Sequence, residues 1–181
     1  DNMLTTSNIT SSKPELEIGR ISVISAAELA DYLEKVKEYE ELQRSAPNTV
    51  DGRLWMKNML HITGASSSLL AGPLCNFVNK YKNIIEDTLA GARVEVLCKD
   101  VSGEVDQSGS QRVRELFEEG LSMVTYFGHS SSTTLEFSIE NPDAYNNTGK
   151  YPVFSVNGCD AGDFFRYSPQ RLIETQTLTE K

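Results

Sequence analysis

The chain has 181 residues, is 39% hydrophobic and 24% charged, and carries a formal net charge of −9. That length suits one domain with a sizeable core. The acidic balance, with no Lys/Arg cluster, ranks nucleic acid and anionic membrane surfaces low as partners, and no apolar run approaches the ~20 residues of a membrane span. No signal peptide is visible at the start, which leaves secretion open. The three cysteines, Cys75, Cys98 and Cys159, are an odd number without close spacing. This argues against a disulfide framework and against a zinc site.

Residues 1–15, rich in Ser, Thr and Asn, read as a mobile lead-in. "LEIGRISVI" (16–24) reads as a strand. Ser25 then stands at an N-cap position with Glu28 three residues on, the capping-box spacing. The helix that follows runs to about Arg44, with Leu29, Tyr32, Leu33, Val36 and Tyr39 at helical spacing and a charged face read as solvated surface. "WMKNMLHITG" (55–64) reads as a buried strand, and a helix is expected from Gly72 to Leu89 with Gly91 as its stop. "ARVEVLCKD" (92–100) is a further strand, followed by a short helix near 110–119 that Gly120 ends. "LSMVTYFG" (121–128) is a strand, "LEFSIE" is a candidate short strand, and "NPDAYNNTGK" is turn-rich. "YPVFSVNG" (151–158) is the last clear strand. Strands alternating with helices predict an α/β fold, a mostly parallel sheet with helices on both faces.

In open parallel sheets, ligands bind beyond the carboxyl ends of the strands. Two strands here end in reactive side chains, His129 and Cys159. Neighbouring parallel strands lie ~4.8 Å apart, so side chains leaving adjacent or next-but-one strand ends can meet. A thiolate attacks a carbonyl while an imidazole manages the proton. Gly128 and Gly158 would let the backbone turn just before each reactive residue. Spacing alone leaves the bland alternatives open: an inert buried thiol and a capped loop histidine.

From Leu16 onward the chain resembles the gingipain-type cysteine peptidases (peptidase family C25), which share the caspase-like fold. The resemblance rests on three pieces in family order: "LEIGRISVISAAELADYLEKVKEYE", "EEGLSMVTYFGH" and "YPVFSVNGCDAGDFF". It implies a caspase-like peptidase domain over 16–181, incomplete at both ends. It implies Cys159 as nucleophile and His129 as general base of a cysteine-type endopeptidase that works through an acyl-enzyme. Backbone amides near Cys159 and Ser130 would hold the oxyanion, with Asn157 and Gly158 shaping the nucleophile turn. It implies a polypeptide substrate, a secreted, periplasmic or cell-surface location in a bacterium, and a secretion-system or outer-membrane partner. No cofactor or metal follows from the residues, although a structural calcium ion is compatible with the family. Three departures stand out: Ser130 replaces the glycine usual after the histidine, Ser66 stands near the position of the acid that supports it, and "LLAGPLCNF" lacks the acid that reads an Arg or Lys side chain. The missing acid and Ser130 favour an alternative, an inactive caspase-like scaffold on the cell surface, and the resemblance also covers a sortase-like transpeptidase, which the sequence does not separate from a hydrolase.

Other features have plainer readings. "ITGASSS" lacks the glycines of a dinucleotide loop and reads as a Ser-rich βα connection. His61 reads as a hydrogen-bonded strand histidine, Cys75 and Cys98 as packing residues, and Trp55 as a core or edge aromatic. Asn8 and Asn146 each begin a glycosylation sequon, which would carry no meaning in a bacterial protein.

Overall fold

A computed structural model describes residues 16, 19, 21–65, 67–99, 107–129 and 145–159, with only the backbone of 107–110. The expected lead-in, the "LEFSIE" strand, Ser66, Ser130 and the segment after Cys159 lie outside the described residues. Helix α1 is Ala26–Ser45, α2 is the single turn Val50–Arg53, and a 3-10 turn spans Leu54–Met56. Strand β1 (Asn58–Gly64), helix α3 (Ser68–Ile85), strand β2 (Arg93–Cys98), helix α4 (Gln107–Glu119), strand β3 (Met123–Gly128) and strand β4 (Val153–Asn157) follow.

The four strands form one parallel sheet in the order β2-β1-β3-β4. The chain leaves β1 for β2 on one side, then returns past β1 to β3 on the other. That reversal makes the β1–β3 junction the switch point of the sheet, and open parallel sheets bind ligands at the carboxyl edge of such a point.

Alternation along the strands divides the side chains between two faces. On one face Leu60 and Ile62 of β1 and Val124 and Tyr126 of β3 pack with Val113, Leu116 and Phe117 of α4 and with Leu121. Phe154 of β4 and Tyr145 extend this core by stacking on Phe117, at centroid distances of 6.1 and 4.5 Å. Each large apolar side chain buried here stabilises by about 1.5–3 kcal/mol. On the other face α3 covers β1 and β2, with Val78 buried and Phe77 edge-on to Phe127 of β3. Helices therefore lie on both faces, as the alternating pattern predicts.

Local signals explain the element ends. Ser25 Oγ accepts from the Glu28 amide at 3.2 Å, and the Glu28 carboxylate accepts from the Ile24 amide at 2.9 Å, so the predicted cap forms. Gly120 ends α4 with φ +100°, its amide bonded to the Leu116 carbonyl. A Cβ there would also lie 2.5 Å from Lys150 Cδ and 2.9 Å from Trp55 Cβ. Trp55 is buried and sits edge-on to Tyr39 of α1.

Two expectations need correction. Helix α3 begins four residues before Gly72 and stops at Ile85. Pro73 falls inside it and removes the bond to the Leu69 carbonyl, which is tolerated because Leu69 is exposed. Gly91, with φ +59°, belongs to the turn beyond the helix. The described part of "LEIGRISVI" is not a strand, and Ile21 and Ile24 are exposed. Apolar alternation suits a strand, but a strand also needs a partner edge, and no described residue pairs with this segment.

Candidate active site at the carboxyl edge of the sheet

The two reactive side chains follow neighbouring strands. His129 comes directly after β3, and Cys159 lies two residues beyond β4. Strands β3 and β4 pair in parallel with Phe127 opposite Asn157. His129 and Cys159 each come two residues after this last pair, Cys159 in a turn. The thiol of Cys159 is exposed, as is His129. Gly158, at the bend between Asn157 and Cys159, is half-buried.

The backbone of His129 is held from two directions. Its amide donates to the Gly64 carbonyl at the end of β1, at 2.9 Å. Its carbonyl accepts a hydrogen bond from the Tyr126 hydroxyl. The Tyr126 ring is 1% exposed, in the core under β3, so this bond reaches from a packed layer to the mouth of the site.

Gly128 has a role different from the expected turn. Its φ lies outside the left-handed region. A Cβ on Gly128 would lie 2.1 Å from the Gly64 carbonyl oxygen and 2.6 Å from its nitrogen. The position is glycine because β1 and β3 approach so closely where they end.

Cys75 and Cys98 correct the reading as separate packing residues. They form a disulfide, with Cα atoms 5.6 Å apart, joining the second turn of α3 to the end of β2. The pairing follows from α3 lying across β2, which brings two cysteines 23 residues apart into bonding range. Sequence offered a hint only in the placement of Cys98 at a strand end, since helix packing decides which side chain arrives above it.

His61, at the middle of β1, is buried between Val96 of β2 and Thr125 of β3. Neither ring nitrogen is hydrogen-bonded among the described residues, which corrects the expected hydrogen-bonded strand histidine. Burial, and secondarily the charge of Lys82, hold its pKa below the ordinary value of 6.5. It lies three residues before the end of β1, on the face opposite to that of Leu60 and Ile62. Among the described residues no three His, Cys, Asp or Glu side chains are grouped to hold a metal ion, and no helix is long and apolar enough to cross a membrane.

Comparison with known proteins shows the family and the fold. A model of the family described as Peptidase family C25 matches residues 1–181. The crystal structure of the Arg-specific cysteine proteinase gingipain R superposes with a TM-score of 0.59 at 19% sequence identity, covering 96% of this chain and 39% of that one. At that identity the likeness shows the fold, which is α/β and caspase-like. The chain thus spans about two fifths of the length of that proteinase. No curated protein matches the chain.

Proposed function

The chain belongs to peptidase family C25, a family of cysteine peptidases, and from that premise we propose that Cys159 and His129 are its nucleophile and general base. The observation that carries the reading is the register of β3 and β4. With Phe127 opposite Asn157, the histidine and the cysteine each come two residues after the last paired position of neighbouring strands.

In this reading the Cys159 thiol passes its proton to His129, and the thiolate attacks the carbonyl carbon of a peptide bond. A carbon–sulfur bond forms and the carbonyl electrons move to oxygen, where backbone amides near Cys159 and Ser130 would stabilise the charge. Collapse breaks the carbon–nitrogen bond, and His129 protonates the leaving amine. Water then attacks the thioester, giving its proton to His129, and release of the acid restores the thiol. Gly128, Asn157 and Gly158 shape the two strand ends from which the dyad projects.

The substrate class is polypeptide. Specificity for Arg belongs to gingipain R and is not carried over, because residues 69–77 contain no acid. The Cys75–Cys98 disulfide supports a secreted, periplasmic or cell-surface location, since such bonds persist in oxidising compartments. A secretion-system or outer-membrane partner is in keeping with that location, as is a bacterial source, and a structural calcium ion remains part of the family-based reading.

The test is to treat the full-length protein with a thiol-directed peptide electrophile and locate the adduct by mass spectrometry. We expect modification at Cys159 that His129→Ala slows strongly. A folded protein that gives no adduct at Cys159 would favour a scaffold without catalysis. A wild-type protein that joins peptides to added amines faster than it hydrolyses them would favour a transpeptidase.

A further inference from the structure

We propose that Tyr126 is a positioning residue for His129, a role that rests on the reading of His129 as the general base. The imidazole direction is set by the backbone that carries it. Two hydrogen bonds hold that backbone: the His129 amide to the Gly64 carbonyl, and the Tyr126 hydroxyl to the His129 carbonyl. The first ties the residue to β1, and the second ties it to the core.

The tyrosine is well suited to act as an anchor. Its ring is 1% exposed, in the cluster that contains Leu60, Ile62, Val113 and Phe117. Close packing leaves such a side chain little rotamer freedom, so its hydroxyl is a fixed point. The partner carbonyl belongs to the first residue after β3. A dyad loses much of its rate when its members are misplaced by even about 1 Å. Holding both main-chain groups of His129 restrains the direction of its Cα–Cβ bond, and with it the approach of the ring to Cys159.

Tyr126→Phe removes one oxygen and keeps the ring, so the core stays filled. The full-length wild type, Tyr126→Phe and His129→Ala are compared by two measurements. One is the rate of Cys159 alkylation by iodoacetamide across pH, which reports how well the imidazolium stabilises the thiolate. The other is kcat and KM on a peptide substrate, with circular dichroism and Tm as the control for folding. For Tyr126→Phe we expect the alkylation-rate profile against pH to move part of the way to the His129→Ala profile. We also expect kcat to fall about tenfold with KM within about twofold of wild type, the pattern of a lost transition-state arrangement.

A Tyr126→Phe protein with the wild-type pH profile and kcat overturns the proposal while leaving the dyad standing. A protein that loses activity only in proportion to its unfolded fraction, with an unmoved pH profile, shows a purely structural tyrosine and also overturns it. A wild-type alkylation profile identical to that of His129→Ala overturns the dyad itself, and the positioning role with it.

Discussion

Gly64 and Gly128 face each other across the β1–β3 ladder so closely that a Cβ on Gly128 would lie 2.1 Å from the Gly64 carbonyl oxygen. That same oxygen accepts the His129 amide. Adding a methyl group at residue 128 therefore pushes on the carbonyl that anchors the candidate base. The obstacle is the backbone of β1, a strand with neighbours on both sides, which has little room to move. We expect Gly128→Ala to destabilise by more than about 3 kcal/mol, or to prevent folding. Denaturant unfolding measures it, and a loss under about 1 kcal/mol would refute the close approach.

The Cys75–Cys98 bridge closes a loop with a sequence separation of 23. Chain entropy assigns such a link about 3 kcal/mol. The Cys75→Ser/Cys98→Ser double variant should unfold at a correspondingly lower denaturant midpoint, and wild type under strong reductant should match it. Cys159→Ser, at an exposed position, should change the midpoint little. Equal midpoints for the bridged and unbridged proteins would contradict the prediction.

His61 gives the fold an acid-sensitive point. Its folded-state pKa is depressed below 6.5, first by burial and then by Lys82. The unfolded chain thus takes up a proton at a pH where the folded protein does not, so stability falls as pH drops below about 6.5. Replacing His61 with Leu removes a buried imidazole whose nitrogens have no hydrogen-bond partner among the described residues. At pH 7 the change should be neutral or stabilising by about 1 kcal/mol. Between pH 6.5 and 5 the variant should lose less stability than wild type, and parallel pH curves would count against this account.

Glu95 of β2 and Arg112 of α4 form a two-pronged pair, with nitrogen–oxygen distances of 2.8 and 2.7 Å. Arg112 also reaches Glu115 and Glu119. The hydrogen bond from Arg112 is the main cause that holds the Glu95 carboxyl below its ordinary value of 4.5. Both side chains are about one third exposed, so screening limits the pair to about 1 kcal/mol. Its stabilisation is present above the unfolded carboxyl pKa and is lost as pH falls through the folded one. Glu95→Gln should cost about 1 kcal/mol at pH 7, with the difference from wild type vanishing in strong acid. A difference that persists at the lowest pH would point to packing instead.

Much of the architecture is legible in local pattern. The apolar runs at 58–64, 93–98, 123–128 and 153–157 become strands, with helices between three of them, as their spacing predicts. Ser25 and Gly120 mark helix ends because caps are satisfied by neighbours in sequence. The places of His129 and Cys159 after two of these strands are readable in the same way. The family motifs around them name the chemistry they are proposed to perform.

Pairing and packing between distant segments is a different matter, because no local rule encodes it. Strand order decides that β3 and β4 are neighbours, and with it that His129 and Cys159 follow neighbouring strand ends. The lie of α3 across β2 joins Cys75 to Cys98, though each alone reads as a packing residue. The contact of β1 with β3 makes residue 128 a glycine for want of space, not for a turn. Periodicity and capping act over a few residues, whereas these contacts join positions that meet only after the chain has collapsed around its core.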